Sequence, residues 1–463
     1  MVYDGHRVSG GGGCNTDHSI LTFKYYGNIL MKINRFNLAQ MSTQEVATLL
    51  RRSETDILAF QGTVQPIIED IRNRGDKALI AHTARLDGAK LADDAIKVTE
   101  KEFLVAEKAL SSDIKEVIVR SANNIRKFHE AQMPQEMWFH EIEPGMLAGE
   151  KSTPIPSVGL YVPRGKGSFP SVMLMLCIPA MVAKVPNVLA CTPPTPAGNA
   201  DDASLFAAKI CGVENVYKMG GAQAIAAFAY GTETVPAVRK ILGPGNSYVS
   251  AAKRILFGQV DVGTPAGPSE SIILCDRTTD PRLAAIDLLI EAEHGPDSCA
   301  LLVTSSVEVA DQVEKYLPEL ISAFPPERQN FCQQVLSGYG GIVIAADDDA
   351  AIGFVNDFAP EHLEVLVEEP FAALQKIVNA GEILLGKYSP ITIGNFSLGV
   401  NAILPTGGFA KTFSCVTVHD FLKRSSIGYL TKEGYARIAG TAQRFAEYEG
   451  FVAHAAAIAN RNF

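Results

Sequence analysis

A glutamate and a histidine that could bind a metal ion end a leucine-rich stretch at residues 288–298, "LLIEAEHGPDS". The apolar residues predict a helix whose last turn lies near the protein interior, and Gly-Pro predicts its end. Glu291 and His294 are three residues apart, so they share one helical face. They are either two arms of a metal site, with oxygen and nitrogen as ligands, or an ordinary surface pair.

A second Glu-His pair occurs in "DFAPEHLEVLVEE", immediately before a predicted strand. Glu361 and His362 offer two groups whose pKa values the surroundings can shift towards neutrality, which suits general acid–base catalysis. Glu364 is close by. The alternative is a surface acid next to a partly buried histidine that makes one hydrogen bond.

A third histidine, His454, lies in the alanine-rich stretch "AEYEGFVAHAAAIANR" near the end of the chain. Glu449 is five residues earlier, just before Gly450. A single histidine among alanines is more often a packed core or interface residue than a ligand. The residues alone therefore leave the role of His454 open.

The elements that must position these residues alternate along most of the chain. The sequence predicts helices from "MSTQEVATLLRR" through "SANNIRKFHEAQ", then two series of short apolar strands with intervening helices, and helices again from about Phe421. Such alternation is typical of parallel α/β packing. Glycine- and proline-rich loops such as "GPGNSYVS" begin where strands end, which fits a phosphate-bearing or polar ligand. None is a full G-x-G-x-x-G motif, so loops that merely turn the chain remain the alternative.

Composition excludes several classes of protein. The chain has 463 residues, 47% hydrophobic and 20% charged, with a net charge of −10 and no Lys/Arg-rich stretch, so we expect no nucleic-acid partner. The longest apolar run, residues 170–185, is interrupted by Pro179 and predicts a buried helix rather than a membrane span. The eight cysteines form no C-x-x-C pair, which favours reduced thiols and a cytoplasmic location.

The segments taken together resemble the histidinol dehydrogenase family from about Met31 to the C-terminus. Eight motifs carry the resemblance and stand in family order. They are "GLYVPRG", "GGAQAIAAFAYGTE", "GPGNSYVSAAKR", "PAGPSE", "EAEHGPDS", "FAPEHLE", "NAILPTGG" and "EGFVAH". Eight motifs in sequence are far more specific than any one of them.

This resemblance implies an enzyme that binds one zinc ion per subunit and uses NAD to oxidise a primary alcohol through an aldehyde to a carboxylate. Glu361 would activate the water that hydrates the aldehyde, and His362 would remove the alcohol proton. Zinc would orient the polar groups of the substrate. The implied cofactor contacts are Tyr161, Gln223 and Asn246.

The resemblance also implies an intertwined homodimer of two Rossmann-like parallel-sheet domains with small helical segments at both ends. Ser269 aligns with a substrate-binding serine, and Glu449 and His454 of the tail would complete the site of the partner subunit. The predicted organisation is a disordered leader at 1–30, an N-terminal helical segment at 31–54, a first α/β domain formed by 55–160 and 271–415, a second α/β domain at 161–270, and a helical tail at 416–463.

Three positions depart from the family pattern. Glu291 stands where the family has glutamine and Asn395 stands where it has aspartate, so the implied metal set is Glu291, His294, Asn395 and His454. The two changes exchange carboxamide and carboxylate and keep one negative ligand, which argues that the ion is retained. Two unrelated changes are the alternative.

The third departure is Ala402, where the family has a histidine that contacts the substrate. Loss of that imidazole weakens recognition of a polar substrate. Our first hypothesis is therefore a zinc- and NAD-dependent dehydrogenase for a small polar alcohol that need not be L-histidinol. The alternatives are a true L-histidinol dehydrogenase of histidine biosynthesis and, from another class, a non-catalytic relative that binds metal or ligand.

Overall fold

The computed structural model of the chain describes residues 24–26, 29–51, 60–164 and 167–461. Most of the predicted leader at 1–30 lies outside these residues. Of the leader, the structure describes residues 24–26 and 29–30, which belong to two short antiparallel strands. By contacts the described chain forms two units. The first comprises the described residues up to 51 with 269–357 and 365–377, and the second comprises the remainder.

The strands and helices of the described residues follow one another as the sequence predicts for most of the chain. The strands are β1 (Lys24–Tyr26), β2 (Ile29–Met31), β3 (Arg35–Asn37), β4 (Met137–Glu143), β5 (Met146–Pro154), β6 (Ser157–Tyr161), β7 (Asn187–Thr192), β8 (Val216–Lys218), β9 (Lys240–Leu242), β10 (Glu270–Cys275), β11 (Cys299–Thr304), β12 (Gly341–Ile344), β13 (His362–Leu366), β14 (Glu382–Leu385) and β15 (Leu422–Leu430). The helices are α1 (Thr43–Arg51), α2 (Gln61–Arg74), α3 (Asp76–Leu86), α4 (Glu100–Ala109), α5 (Ser112–Ala131), α6 (Pro170–Val182), α7 (Asp202–Cys211), α8 (Gly221–Tyr230), α9 (Ser247–Leu256), α10 (Pro281–Ala292), α11 (Val307–Ser322), α12 (Pro326–Ser337), α13 (Asp348–Phe358), α14 (Pro370–Leu374), α15 (Ile391–Ile393), α16 (Lys432–Tyr448) and α17 (Val452–Ala459).

The first unit is built on parallel strands in the order β10-β11-β12-β3. Every residue of β10, β11 and β12 is buried, as expected for strands covered by helices on both faces. The segment 31–54, predicted as helical, contains helix α1 and also strand β3. A three-residue strand with one apolar side chain, Phe36, carries no alternating pattern, and its pairing with β12 is what defines it.

The second unit contains a four-stranded parallel sheet in the order β8-β7-β6-β9. Helices α6 and α7 contribute to one buried cluster and α8 and α9 to another. Side chains alternate along β6: Leu160 packs in the first cluster and Tyr161 in the second. The chain runs from β6 outward through β7 to β8 and then returns to the other side of β6 at β9. These two units of parallel strands and helices confirm the predicted α/β fold with Rossmann-like sheets.

A three-stranded antiparallel sheet, β15-β5-β4, was not predicted. The expectation of helices from Phe421 onward is wrong for its first part, because residues 422–430 form β15 and pair with β5 over its whole length. The stretch "LKRSSIGYL" is mostly exposed and has neither a helical nor a strand period, so only the pairing decides its structure. Helices α16 and α17 follow as predicted.

Helices α4 and α5 pack in the same buried cluster as β6, through residues such as Phe103 and Ile118. They therefore group with residues 161–268, whereas we expected residues 55–160 to group with 271–415. The functional domain boundaries stay a prediction. None of the helices in the described residues is long and apolar enough to cross a membrane.

Candidate active site

The second predicted Glu-His pair lies at the beginning of β13, beside β14. The Glu382 N–H donates to the carbonyl of Glu361 at 2.9 Å, which places Glu382 across from His362 on the neighbouring strand. The imidazole Nδ1 of His362 lies 2.7 Å from Oε2 of Glu382, and its Nε2 lies 4.0 Å from Oε1 of Glu361. Two carboxylates therefore flank one imidazole, one on each ring nitrogen.

These three side chains are buried, with His362 only 4% exposed. The backbone before them is strained, because Ala359 has a φ of 54°, in the left-handed region that alanine rarely adopts. Backbone strain of this kind occurs preferentially at functional sites. A surface acid beside a partly buried histidine, the alternative for Glu361 and His362, does not describe this arrangement.

The first predicted pair lies at the end of α10 in the first unit. His294 Nδ1 is 3.2 Å from Oε2 of Glu291 and 3.0 Å from the carbonyl oxygen of Ile290. Glu291 is 1% exposed, which excludes an ordinary surface pair. Because the Ile290 carbonyl can only accept, Nδ1 is the donor in this contact, and such a hydrogen bond from one ring nitrogen to a backbone carbonyl is common in metal-binding histidines.

Asn395, the predicted third ligand, lies in a π-helical turn, Gly394–Leu398, of the second unit. Such turns occur frequently at functional sites. Its Oδ1 is buried and accepts no hydrogen bond from the described residues. A buried carbonyl oxygen without a donor is costly, so this atom fits a cation or a ligand donor.

Glu449 and His454 lie in a C-terminal arm that we define as β15, α16 and α17. Glu449 ends α16 and His454 lies in α17, where its ring centroid is 5.1 Å from that of Phe451. Both residues are exposed. Helix α16 buries only Gly434 and α17 only Ala455. The arm also exposes large apolar side chains: Tyr429, Leu430, Phe445, Tyr448, Phe451 and Val452.

The predicted cofactor residues lie at the carboxyl edge of the four-stranded sheet. Tyr161 ends β6, and its hydroxyl accepts a hydrogen bond from the Gly221 N–H at 3.1 Å. Gln223 Nε2 donates to Oδ2 of Asp87 at 3.1 Å, while Gln223 Oε1 is buried and accepts no hydrogen bond from the described residues. Asn246 caps α9 by accepting from the N–H groups of Tyr248 and Val249.

Asp87 is a site residue that the sequence did not reveal, because "RLDGAK" resembles an ordinary helix end. Burial raises the pKa of Asp87 to about 6, opposed in part by the hydrogen bond from Gln223 and the charge of Arg164. Its bond to Nε2 fixes the orientation of the Gln223 amide. Oε1 of Gln223 is thereby left as an acceptor for a ligand.

The sheet order places this edge where a ligand of an α/β protein is expected. The connections that follow β6 and β9 leave to opposite faces, which opens a crevice beyond the ends of these neighbouring strands. Gly221 (φ +57°) and Gly243 (φ +125°) adopt conformations that favour glycine. A Cβ at Gly221 would lie 2.6 Å from Gln223 Oε1, so a larger residue there would displace this amide as well as strain the backbone.

Ser269 and Ala402, the predicted substrate residues, are both half-buried. Ser269 precedes β10, and its carbonyl accepts from the Cys299 N–H at 2.9 Å. Ala402 packs against the core cluster that contains β6. Its neighbour Asn401 is buried and donates to the Met175 carbonyl at 2.8 Å, which anchors this loop.

Within each unit, the structure places some of the predicted residues together. They are Glu291 with His294, Glu361 with His362, and Tyr161 with the first turn of α8, the helix that contains Gln223. Among the described residues no three His, Cys, Asp or Glu side chains form a metal-binding group. Of the four predicted ligands, Asn395 is an amide and His454 would come from the partner subunit. One subunit would therefore contribute only Glu291 and His294 as side chains of these four types. The metal site stays a prediction.

Glu382 is the second residue that the sequence did not reveal as functional. Its only signal is an acidic residue at the start of the otherwise apolar strand "EILL". A glutamate at a buried strand position requires a partner, because burial of an isolated carboxylate is strongly unfavourable. The partner is His362.

The fold and the site together define an α/β protein of Rossmann-like sheets with a buried acid–imidazole pair and a ligand crevice at a strand edge. The sequence model of the family described as Histidinol dehydrogenase matches residues 50–462. The chain therefore belongs to the histidinol dehydrogenase family.

Relatives cover nearly the whole chain. A histidinol dehydrogenase of Synechocystis sp. is 50% identical over 92% of this chain and 98% of its own. A histidinol dehydrogenase homolog of Cereibacter sphaeroides is 53% identical over 93% of this chain and 98% of its own. Among solved structures, histidinol dehydrogenase from Elizabethkingia anophelis is similar with a TM-score of 0.86 and 35% identity, covering 92% of this chain and 97% of that one.

Proposed function

We propose that this protein is a zinc- and NAD-dependent dehydrogenase that oxidises a small polar primary alcohol, other than L-histidinol, through an aldehyde to a carboxylate. The observation that carries the proposal is the buried Glu361–His362 pair, with its imidazole held between two carboxylates. A non-catalytic relative has no use for a buried imidazole between two carboxyl groups, next to a strained backbone position at Ala359.

The proposed reaction assigns a different proton to each group of the pair. In the first oxidation, His362 takes the hydroxyl proton through Nε2 while the alcohol carbon loses a hydride, which gives the aldehyde. In the second, Glu361 removes a proton from the water that adds to the aldehyde. The hydrate then loses a second hydride, and its second hydroxyl proton passes to His362, which has released the first proton to solvent; this gives the carboxylate. About two hydrides leave per alcohol.

The described residues fit both implied cofactors. NAD would lie at the crevice between β6 and β9, where Tyr161 and Asn246 border the edge and Oε1 of Gln223 lacks a donor. For zinc, the resemblance implies Glu291 and His294 at the end of α10 and, in the other unit, Asn395, whose Oδ1 accepts no hydrogen bond from the described residues. When bound, zinc supplies a positive charge that orients polar groups of the substrate and NAD supplies the hydride acceptor.

We further propose a homodimer in which the C-terminal arm completes the site of the partner subunit. The arm exposes Phe445, Tyr448 and Phe451 together, a concentration of aromatic surface that is typical of an interface. Glu449 and His454 lie on this exposed surface and would act on the partner's substrate and zinc. The seven cysteines of the described residues have free thiols, which supports the proposed cytoplasmic location.

The substrate is the point on which two candidate functions differ. The Synechocystis relative at 50% identity is named histidinol dehydrogenase, which favours L-histidinol as the substrate. The Cereibacter relative at 53% identity is named a homolog, so overall identity does not decide. Ala402 favours another alcohol, because a wall without the imidazole cannot hydrogen-bond the substrate there.

A substrate panel with matched variants tests the proposal. Purified protein loaded with zinc is given NAD and L-histidinol, or other amino, sugar and sulfonated alcohols, and NADH is counted per alcohol consumed. We expect turnover of another alcohol with about two NADH each. Efficient turnover of L-histidinol supports the biosynthetic candidate, and silence with metal bound supports a non-catalytic relative.

The variant Ala402→His sharpens the choice of substrate, because it restores an imidazole at the same position. We expect it to raise kcat/KM for L-histidinol and to lower it for the preferred alcohol. His362→Asn is the control for activity that does not depend on the site. An unchanged preference in Ala402→His would contradict the role assigned to this position.

A further inference from the structure

The register of β13 and β14 places Glu382 beside His362. In parallel strands, a residue whose N–H donates to the carbonyl of one residue lies opposite the next residue of that neighbouring strand. Glu382 donates to the carbonyl of Glu361, and Gly381 donates to that of Pro360, both at 2.9 Å. The side chains of His362 and Glu382 thus project from the same face of the sheet, and 2.7 Å separates Nδ1 from Oε2.

The hydrogen bonding of the Glu382 carboxylate depends on that one contact. Its Oε1 is buried and accepts no hydrogen bond from the described residues. A Cβ at Gly394 would lie 2.6 Å from this oxygen, so the glycine there makes room for the carboxylate. Since an ionised carboxylate only accepts, it requires that Nδ1 of His362 carry a proton.

A proton on Nδ1 determines what the other ring nitrogen can do. The lone pair of the neutral ring is then on Nε2, which faces the side of Glu361 and is the nitrogen required of a general base. When Nε2 takes up a proton, the ring becomes a cation next to a buried carboxylate. The pair stabilises that cation, because charge interactions are strong where water is excluded.

We propose that Glu382 is the positioning residue of His362: it accepts the Nδ1 proton, holds the ring in the tautomer with a basic Nε2, and balances the charge that forms there. This inference rests on the proposed function of His362. Glu382 itself keeps its charge throughout. The proton that leaves the substrate hydroxyl stays on Nε2 until it passes to solvent.

Ring nitrogen NMR tests the tautomer without any turnover. Protein labelled with ¹⁵N in the histidine rings is compared with His362→Asn, which identifies the signals of His362 by their loss. We expect Nδ1 to be protonated and Nε2 to carry the lone pair in the wild-type protein at a pH where the ring is neutral. Glu382→Leu should lose this preference. A proton on Nε2 in the wild type would overturn the proposal.

Kinetics test the consequence for catalysis. Glu382→Gln should lower kcat by on the order of 10²-fold, with the KM for NAD unchanged, because the amide cannot balance the imidazolium charge. Glu382→Asp should recover part of kcat, since it restores the charge. The matched control is Glu314→Gln, which removes another buried carboxylate, paired with Arg35 at 3.2 Å, and should keep kcat.

The two measurements separate this inference from the proposed function. A wild-type protein that turns over no alcohol but shows the expected tautomer, lost in Glu382→Leu, contradicts the proposed function and leaves the role of Glu382 towards the ring supported. An active wild type in which Glu382→Gln matches Glu314→Gln in kcat contradicts the inference alone.

Discussion

The edge formed by β13 and β14 and the C-terminal arm carry predicted functional residues in opposite surroundings. Glu361, His362 and Glu382 are buried, and both carboxylates lie next to the His362 ring of the same chain. Glu449 and His454 are exposed, on helices that bury one residue each. The strand edge holds its functional side chains in place within one chain. The C-terminal arm exposes its functional side chains and its aromatic side chains to solvent.

This difference separates two ways of building a site. Groups that move protons need fixed geometry and exclusion of water, and a sheet edge supplies both within one chain. Groups that complete a site from another subunit must be exposed until the subunits associate. The comparison predicts that a variant of either region is inactive alone, and that a subunit altered at the strand edge and a subunit altered in the arm restore one site when they form a mixed dimer.

The largest effect is expected at the strand edge. His362→Asn should lower kcat for alcohol oxidation by on the order of 10² to 10⁴-fold, because no other group takes the hydroxyl proton. Initial rates of NADH formation, with NAD binding measured separately by fluorescence, provide the test. A variant that keeps most of its activity would remove the basis of the comparison.

Glu361→Gln should slow the second oxidation much more than the first. The first step needs no added water, so it should be largely retained, while the second slows and aldehyde accumulates. NADH per alcohol should fall from about two towards about one. Trapping the aldehyde with a hydrazine provides the measurement. Equal loss of both steps would contradict the role of Glu361.

Mixing of inactive subunits tests the arm. His454→Ala and His362→Asn proteins are each expected to be inactive, but a heterodimer of the two contains one intact site if the arm acts in trans. After unfolding and refolding together, about half of the dimers are mixed, so about a quarter of wild-type activity should return. No recovery, with mixed dimers demonstrated by differently tagged subunits, would place His454 in its own subunit's site.

Phe451→Asp tests the aromatic surface of the arm. Burial of one such side chain contributes about 1.5–3 kcal/mol, and a homodimer contains two copies of it, so a charge there should weaken dimerisation by on the order of 10²- to 10⁴-fold. Light scattering over a dilution series measures the change. Phe371→Asp, at a similarly exposed phenylalanine on α14, is the matched control and should leave the dimer intact.

The smallest effect concerns a half-buried carboxylate outside the strand edge, that of Asp87. Burial raises the pKa of Asp87 from 3.8 to about 6, so the folded protein binds this proton more tightly than the unfolded chain. Its contribution to the free energy of unfolding is present at acid pH and is lost as pH rises through about 6. The difference in Tm between wild type and Asp87→Asn should therefore fall as the pH is raised. A difference independent of pH would contradict the assigned pKa.

The sequence determined the parts whose signals are local. Period-3.6 and continuous apolar patterns predicted the alternation of helices and strands, and the Glu-His pairs identified Glu291, His294, Glu361 and His362 as candidates. Eight ordered motifs were sufficient for the family, because each depends on residues that are close in sequence. The pairing of Glu291 with His294 follows from helix geometry, and the structure shows it at 3.2 Å.

Tertiary structure decided whatever depends on residues distant in sequence. Glu382 is 20 residues from His362 and Asp87 is 136 residues from Gln223, and neither pairing has a local pattern. Strands β3 and β15 are defined by their neighbours β12 and β5, because their own side chains carry no period. A charged residue in a buried strand stands out in the sequence, but the sequence does not identify its partner. The register of the sheet sets that partner, and the register forms only when the chain folds.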